Sequence, residues 1–308
     1  MLFFICMSFM LKLNYKLVES DDELKGAFQV RKMVFVEEQG ISEDLELDGY
    51  DSKALDNINL DVNAEDFITV IGSNGAGKTT LLNIIAGVYP PERGGKIIMN
   101  GRDIANLSEH GHAQYVGRVY QDPHTGTAAK MTIAENLSLA IMRGQSRGIG
   151  KAITKQRKEL FRNVLVPLGL GLEDRLTALV GTLSGGQRQA LSLVMATMSK
   201  PSLLLLDEHT ATLDPKTARI VLELTEMIVS REKMTAVMVT HHMELALRYG
   251  NRLLMMHQGR IIVDLNHEQR RNLTVSDLVN AFEKASGEQF ADDSVLLSSV
   301  DPIIKQKT

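Results

Sequence analysis

The sequence predicts an α/β fold with a mainly parallel core sheet, an antiparallel β subdomain and a helical subdomain. Three observations lead there. Short apolar runs with β-branched or leucine-rich composition, Phe67 to Ile71, Leu203 to Leu206 and Ala236 to Val239, have the length of buried strands. Each ends in polar or glycine-rich residues, and segments with helical periodicity separate them. Strands alternating with helices imply a parallel sheet whose C-terminal edge carries the polar groups. Arg252 to His257, Gln258-Gly259 and Arg260 to Leu265 read as a hairpin with a glycine turn.

Composition sets the outer limits. The chain has 308 residues, 44% hydrophobic and 23% charged, as in an ordinary globular protein. Its net charge of −4 gives no support to nucleic-acid binding. The basic stretch over 143–158 lacks interleaved aromatics, so it reads as a solvated surface. One cysteine, Cys6, excludes a disulfide framework and a cysteine zinc site. The apolar start Met1 to Leu11 is shorter than the roughly 20 residues of a membrane span, and reads as a start extension or a packed strand. Residues 1–53 hold 6 Lys+Arg against 11 Asp+Glu, whereas residues 54–308 hold 28 against 27. The excess acidity therefore marks the first sixth as a different kind of sequence.

The chemistry begins with Gly72, Ser73, Asn74, Gly75, Ala76, Gly77, Lys78, Thr79 and Thr80, directly after the first buried strand. Glycines let backbone N–H groups turn inward around phosphate oxygens, and the following helix adds its positive end. In this P-loop pattern the lysine reaches the β- and γ-phosphates and the Thr79 hydroxyl binds Mg²⁺. Asp207 and Glu208 close the second strand. Asp207 is assigned to the metal and Glu208 to the attacking water. Ser184, Gly185, Gly186 and Gln187 precede an apolar-periodic helix, which makes a second anion-binding helix start or an ordinary helix cap. Asp214 before Pro215 is a good N-cap as well.

The Lys78 loop, Leu183-Ser184-Gly185-Gly186-Gln187 and the Asp207-Glu208 strand end stand in the order found in ATP-binding cassette (ABC) ATPases, and the chain resembles that family over about residues 54–265. The resemblance implies further roles. Gln121 is similar to the Q-loop glutamine and would sense Mg²⁺ and water, Asp214 lies in the D-loop, and His241 is the switch histidine contacting the γ-phosphate. ATP and Mg²⁺ are the implied cofactors. A second copy is the implied partner, since one P-loop and one signature motif complete a site only head to tail with another. The compact form resembles the ATPase subunit of an importer. It would work with a separate permease and a substrate-binding protein, at the inner face of the cell membrane on the cytoplasmic side.

The first fifty residues do not resemble a cassette. Val30 to Ile41 and Glu46-Leu47-Asp48 resemble the opening of a GCN5-related acetyltransferase, without the later Gly-rich segment that would cradle acetyl-CoA. The expected organisation is an acidic segment over 1–53, an ABC ATPase domain over 54–290 with a helical subdomain near 125–200, and a tail over 291–308. Tyr50, 28 positions before Lys78, is a candidate to stack on adenine. A graft there could remove the first strand of the cassette and leave an open sheet edge. An inactive or binding-only cassette is then the alternative to a working ATPase.

Overall fold

The computed structural model describes residue 55 and residues 58–92, 94–143 and 152–287, together with the backbone of a strand over residues 8–13. In chain order the elements are β1 (Ser8–Leu13), β2 (Ile58–Asn63), β3 (Phe67–Ile71), α1 (Lys78–Ile85), β4 (Lys96–Met99), β5 (Arg102–Asp103), α2 (Glu109–His112) and β6 (Val116–Val119). Then come α3 (Ile133–Ile141), α4 (Lys155–Leu165), α5 (Gly185–Thr197), β7 (Leu203–Asp207), α6 (Pro215–Arg231), β8 (Ala236–Val239) and α7 (Met243–Arg248). The hairpin β9 (Arg252–His257) and β10 (Arg260–Leu265) follows, with α8 (His267–Arg270) and α9 (Val275–Ser286) last.

Two sheets result. The larger has the order β10-β9-β3-β8-β7-β6, parallel except for the β9–β10 hairpin. The hairpin turns at Gln258 (φ 47°) and Gly259 (φ 79°), the left-handed pair that a tight two-residue loop demands. The smaller sheet is antiparallel, order β2-β1-β4-β5. Its β1 comes from the apolar start and pairs with Ile58–Asn63 on one side and Lys96–Ile98 on the other. The packed-strand reading of this start therefore describes its backbone. Tyr50, the acetyltransferase-like segment and the tail over 291–308 lie outside the described residues.

Every residue of β3, β7 and β8 is buried. Successive side chains on a strand face opposite ways, so strands covered on both faces are nearly all apolar, with Thr69 and Asp207 the polar members here. Leu204 and Leu206 pack towards the helical side with Ile133, Leu137, Phe161 and Leu191. Leu203 and Leu205 pack towards the antiparallel sheet with Leu60, Val62, Leu81 and Ile97. Each such side chain contributes about 1.5–3 kcal/mol through burial. Among the described residues, the segment from α3 to α5 holds helices and 3₁₀ turns but no strand.

This topology positions the chemistry. Val70 lies beside Val239, and Val239 beside Asp207, while Val119 lies beside Leu206. The loops after β3, β6, β7 and β8 thus leave one edge of the sheet at one level. That edge is where an open parallel sheet places a ligand.

Candidate nucleotide site

The loop from Gly72 to Gly77 joins β3 to α1 and is shaped by close backbone approach. A Cβ on Gly72 would lie 2.3 Å from the carbonyl oxygen of Met256 in β9. Gly77 has φ 94°, and a Cβ there would meet Leu55 at 2.7 Å. The hairpin turn buttresses the loop, the Gly259 N–H donating to the Ala76 carbonyl at 3.0 Å. Gly77 is the N-cap of α1 and supplies no side-chain cap. A helix start with no side-chain cap is the kind that an anion can complete. Lys78 is buried and folds back over the loop, donating to the Gly72 carbonyl (2.6 Å) and the Ser73 carbonyl (3.0 Å). Ser73 and Thr80 are half-buried, Ala76 is buried, and Asn74, Gly75 and Thr79 are exposed.

Across from this loop stands the end of β7. Asp207 is buried and accepts from Arg118 of β6 at 2.7 Å. Glu208 follows with φ 42°, a left-handed conformation that costs a non-glycine residue about 1–3 kcal/mol and often marks a functional site. Its N–H still bonds the Val239 carbonyl at 3.1 Å, so the chain leaves the sheet just beyond this point. The result places the Glu208 carboxylate 2.5 Å from Nε2 of His241, which follows β8. Of the two adjacent histidines it is His241 that meets the carboxylate, while His242 is exposed and serves as the N-cap residue of α7.

His209, the next residue, is fully enclosed. Its Nε2 lies 3.0 Å from the Thr225 hydroxyl, which itself donates to the Val221 carbonyl. That hydroxyl proton is committed, so the imidazole donates to the oxygen. Burial pushes the His209 pKa down to about 4, so the ring stays neutral.

The remaining predicted residues lie around this edge. Gln121 is exposed just after β6, and its carbonyl accepts from the Thr212 hydroxyl at 3.3 Å. Asp214 is the N-cap of α6 and accepts from the Thr217 N–H at 3.1 Å, and its hydrogen bonds to Thr217 hold its pKa below the usual value. Ser184 and Gln187 form a reciprocal capping box at the start of α5. Gly186 is buried so tightly on α6 that a Cβ would come 2.0 Å from Thr217 Cγ2. Arg188 is buried and donates to the Thr127 hydroxyl (2.6 Å), with His124 Nδ1 also 2.7 Å away, tying α5 to the loop after Gln121.

Arg118, Asn83, His209 and Arg188 were missed from the sequence. Arg118 gave one signal, a charge within the buried run Val116 to Val119. Oxygen donors at Thr79 and Asp207, on facing elements beside an uncapped helix start, suit a hard cation that phosphates also ligate. No cluster of three or more His, Cys, Asp or Glu residues among the described residues could hold a metal by itself.

A family model described as ABC transporter matches residues 55–211. The chain belongs to the ABC transporter family. It is an ATPase subunit, binding and hydrolysing ATP. A tyrosine transport ATP-binding protein of Clostridioides difficile (strain R20291) is 44% identical over 237 residues, spanning 77% of this chain and 94% of that protein. An energy-coupling factor transporter ATP-binding protein of Acetivibrio thermocellus is 34% identical, over 69% of this chain and 72% of that protein. A methionine import ATP-binding protein of Pseudomonas entomophila (strain L48) is 33% identical, and the match spans 66% of its length. Among solved structures, a dimeric ATP-binding cassette bound to ADP and phosphate in a post-hydrolysis state superposes with a TM-score of 0.61 at 24% identity, over 85% of this chain and 99% of that one. A subunit of an ABC transporter complex from Clostridium perfringens gives 0.64 at 20% identity, over 91% and 95%. These two likenesses speak to the fold. No helix among the described residues is long and apolar enough to cross a membrane.

Proposed function

We propose that the chain is the energy-coupling subunit of an amino-acid importer. It works as a homodimer with a separate permease and a substrate-binding protein, on the cytoplasmic face of the membrane. The observation that carries the ATPase part is the Glu208–His241 pair held at the sheet edge beside the uncapped glycine-loop helix. Support for the amino-acid class comes from the relative named for tyrosine transport, matched over 94% of its length.

The residues take these roles. Backbone N–H groups of Gly75, Gly77, Lys78 and Thr79, with the Lys78 ammonium, hold the phosphates. Glu208 accepts a hydrogen bond from the attacking water, and His241 fixes the Glu208 carboxylate and contacts the γ-phosphate. Thr79, Asp207 and Gln121 would hold Mg²⁺ or its waters; when bound, the ion neutralises phosphate charge. Ser184, Gly185 and Gly186 of a second copy close the site over the nucleotide. The working cassette is residues 54–290 joined by the strand Ser8–Leu13. Residues 1–53 otherwise carry a fragment like an acetyltransferase opening and no acetyl transfer, and residues 291–308 are a tail. Nucleic acid is not a partner.

The test is Glu208→Gln. ATP affinity should stay within a few-fold of wild type while turnover drops at least 100-fold. Unchanged turnover would sink the role of Glu208. For the substrate class, a deletion strain should lose uptake of a labelled amino acid and regain it with the wild-type chain but not with Glu208→Gln. Uptake of all twenty unaltered by deletion would overturn the amino-acid assignment while leaving the ATPase intact.

A further inference from the structure

Arg118 joins three parts of the site that no motif connects. It sits on β6 opposite Leu205 of β7, and Asp207 is two residues further along the same face of that strand. Its guanidinium donates from one terminal nitrogen to Asp207 Oδ2 at 2.7 Å and from the other to Asn83 Oδ1 at 2.7 Å. Asn83 is four residues after Thr79, so the two share a face of α1. The guanidinium also lies 4.6 Å from the ring centre of Tyr120, the residue before Gln121. The Arg118 and Asp207 side chains are only 10% and 11% exposed. In such a place a charge pair acts strongly, and removing one partner leaves a buried charge uncompensated.

Three consequences follow from chemistry alone. A guanidinium does not deprotonate in a protein, so the positive charge beside Asp207 is permanent. Its hydrogen bond takes one carboxylate oxygen and fixes the plane of the group, leaving Oδ1 for a cation's shell. The same charge opposes a cation approaching that oxygen. We propose that Arg118 is a positioning residue for the metal-facing carboxylate. It orients Asp207 against α1, weakens the hold of Asp207 on Mg²⁺, and links it to the strand leading into Gln121. The inference rests on the assignment of Asp207 to Mg²⁺ made above.

The experiment uses the full chain at a fixed concentration of ADP, with Mg²⁺ titrated and the nucleotide-dependent rise in melting temperature read. Arg118→Met should lower the Mg²⁺ concentration for half-effect at least two-fold, because Asp207 is left without its compensating charge. Its kcat for ATP should drop about ten-fold because the carboxylate is no longer held. Arg118→Lys keeps the charge and should hold the Mg²⁺ midpoint within two-fold of wild type. Should Arg118→Met fail to fold, Arg118→Gln, which is neutral and still donates one hydrogen bond, carries the same expectation for the Mg²⁺ midpoint. A neutral variant with a midpoint within two-fold of wild type overturns the proposal, whatever happens to melting temperature or turnover. So does a lysine variant that shifts as far as the neutral one. A wild-type chain whose nucleotide response ignores Mg²⁺ overturns instead the metal assignment beneath it.

Discussion

The two glycine-marked helix starts, at α1 and α5, look alike in sequence and differ in structure. At α1 the N-cap is Gly77 in a left-handed conformation, with no side chain to cap the helix. At α5 the N-cap is Ser184 in an extended conformation, and it exchanges hydrogen bonds with Gln187 in a capping box. Under the proposed function, the first helix start receives a ligand within one chain. The second satisfies part of its own need, engaging the N–H groups of Ser184 and Gln187 but not those of Gly185 and Gly186. Glycine also serves different ends. In the first loop, at Gly72, it lets the backbone pass close to the Met256 carbonyl, and at Gly186 it lets α5 lie against Thr217 of α6. Under the proposed function, one start is a ligand cradle, while the other is a stable helix end whose exposed face would meet a nucleotide held by another copy.

The difference is largest at Lys78. Lys78→Ala removes a cation whose hydrogen bonds reach two carbonyls of the loop. ATP affinity, read by calorimetry, should drop at least 100-fold, about 3 kcal/mol. Part of the fold's acid sensitivity should trace to His209, enclosed just beyond Glu208. The folded pKa of His209 is depressed to about 4 from 6.5, so the unfolded chain takes up the proton first. Stability should decline as pH falls from about 6.5 to about 4, by on the order of 3 kcal/mol in all. His209→Gln should flatten that part of the profile in urea melts, and an unchanged slope would contradict the neutral buried ring.

Gly186→Ala comes next. The added methyl meets Thr217 Cγ2 and should cost about 1–3 kcal/mol, with Thr217→Ser in the same chain restoring most of it. No recovery would mean that the glycine serves the backbone instead of the helix contact. The smallest change is at the cap itself. Ser184→Ala should cost about 1 kcal/mol in thermal unfolding. Gly77→Ser, the same cap transferred to α1, should destabilise because its φ of 94° and the nearness of Leu55 leave no room for a Cβ.

Much of this was legible in the residues. The strands Phe67–Ile71, Leu203–Asp207 and Ala236–Val239, the hairpin turn at Gln258-Gly259 and the caps at Ser184 and Asp214 were all readable. Each depends on a local rule: burial on both faces, a left-handed turn, or a side chain bonding an N–H three residues ahead. That Glu208 and His241 lie at one edge also followed, because strand ends of a parallel sheet share an edge, whereas their direct contact came from the structure. Other features had no local signature. Arg118 meets residues 35 and 89 positions away. His209 reads as one more polar residue after Glu208, and its neutrality comes from enclosure by α6 and β8.

The sequence by itself determined which backbone segments could hold phosphate, which carboxylates end a buried strand, and that the chain is an α/β ATPase. Spacing and backbone freedom are properties of a few neighbouring residues. Only the tertiary structure decided that the strand Ser8–Leu13 lies between β2 and β4, that Gly186 is a contact between helices, and that Arg118 clamps Asp207. Those depend on which surfaces come together when the strands choose their neighbours, and a side chain's partner across a sheet is set by that choice.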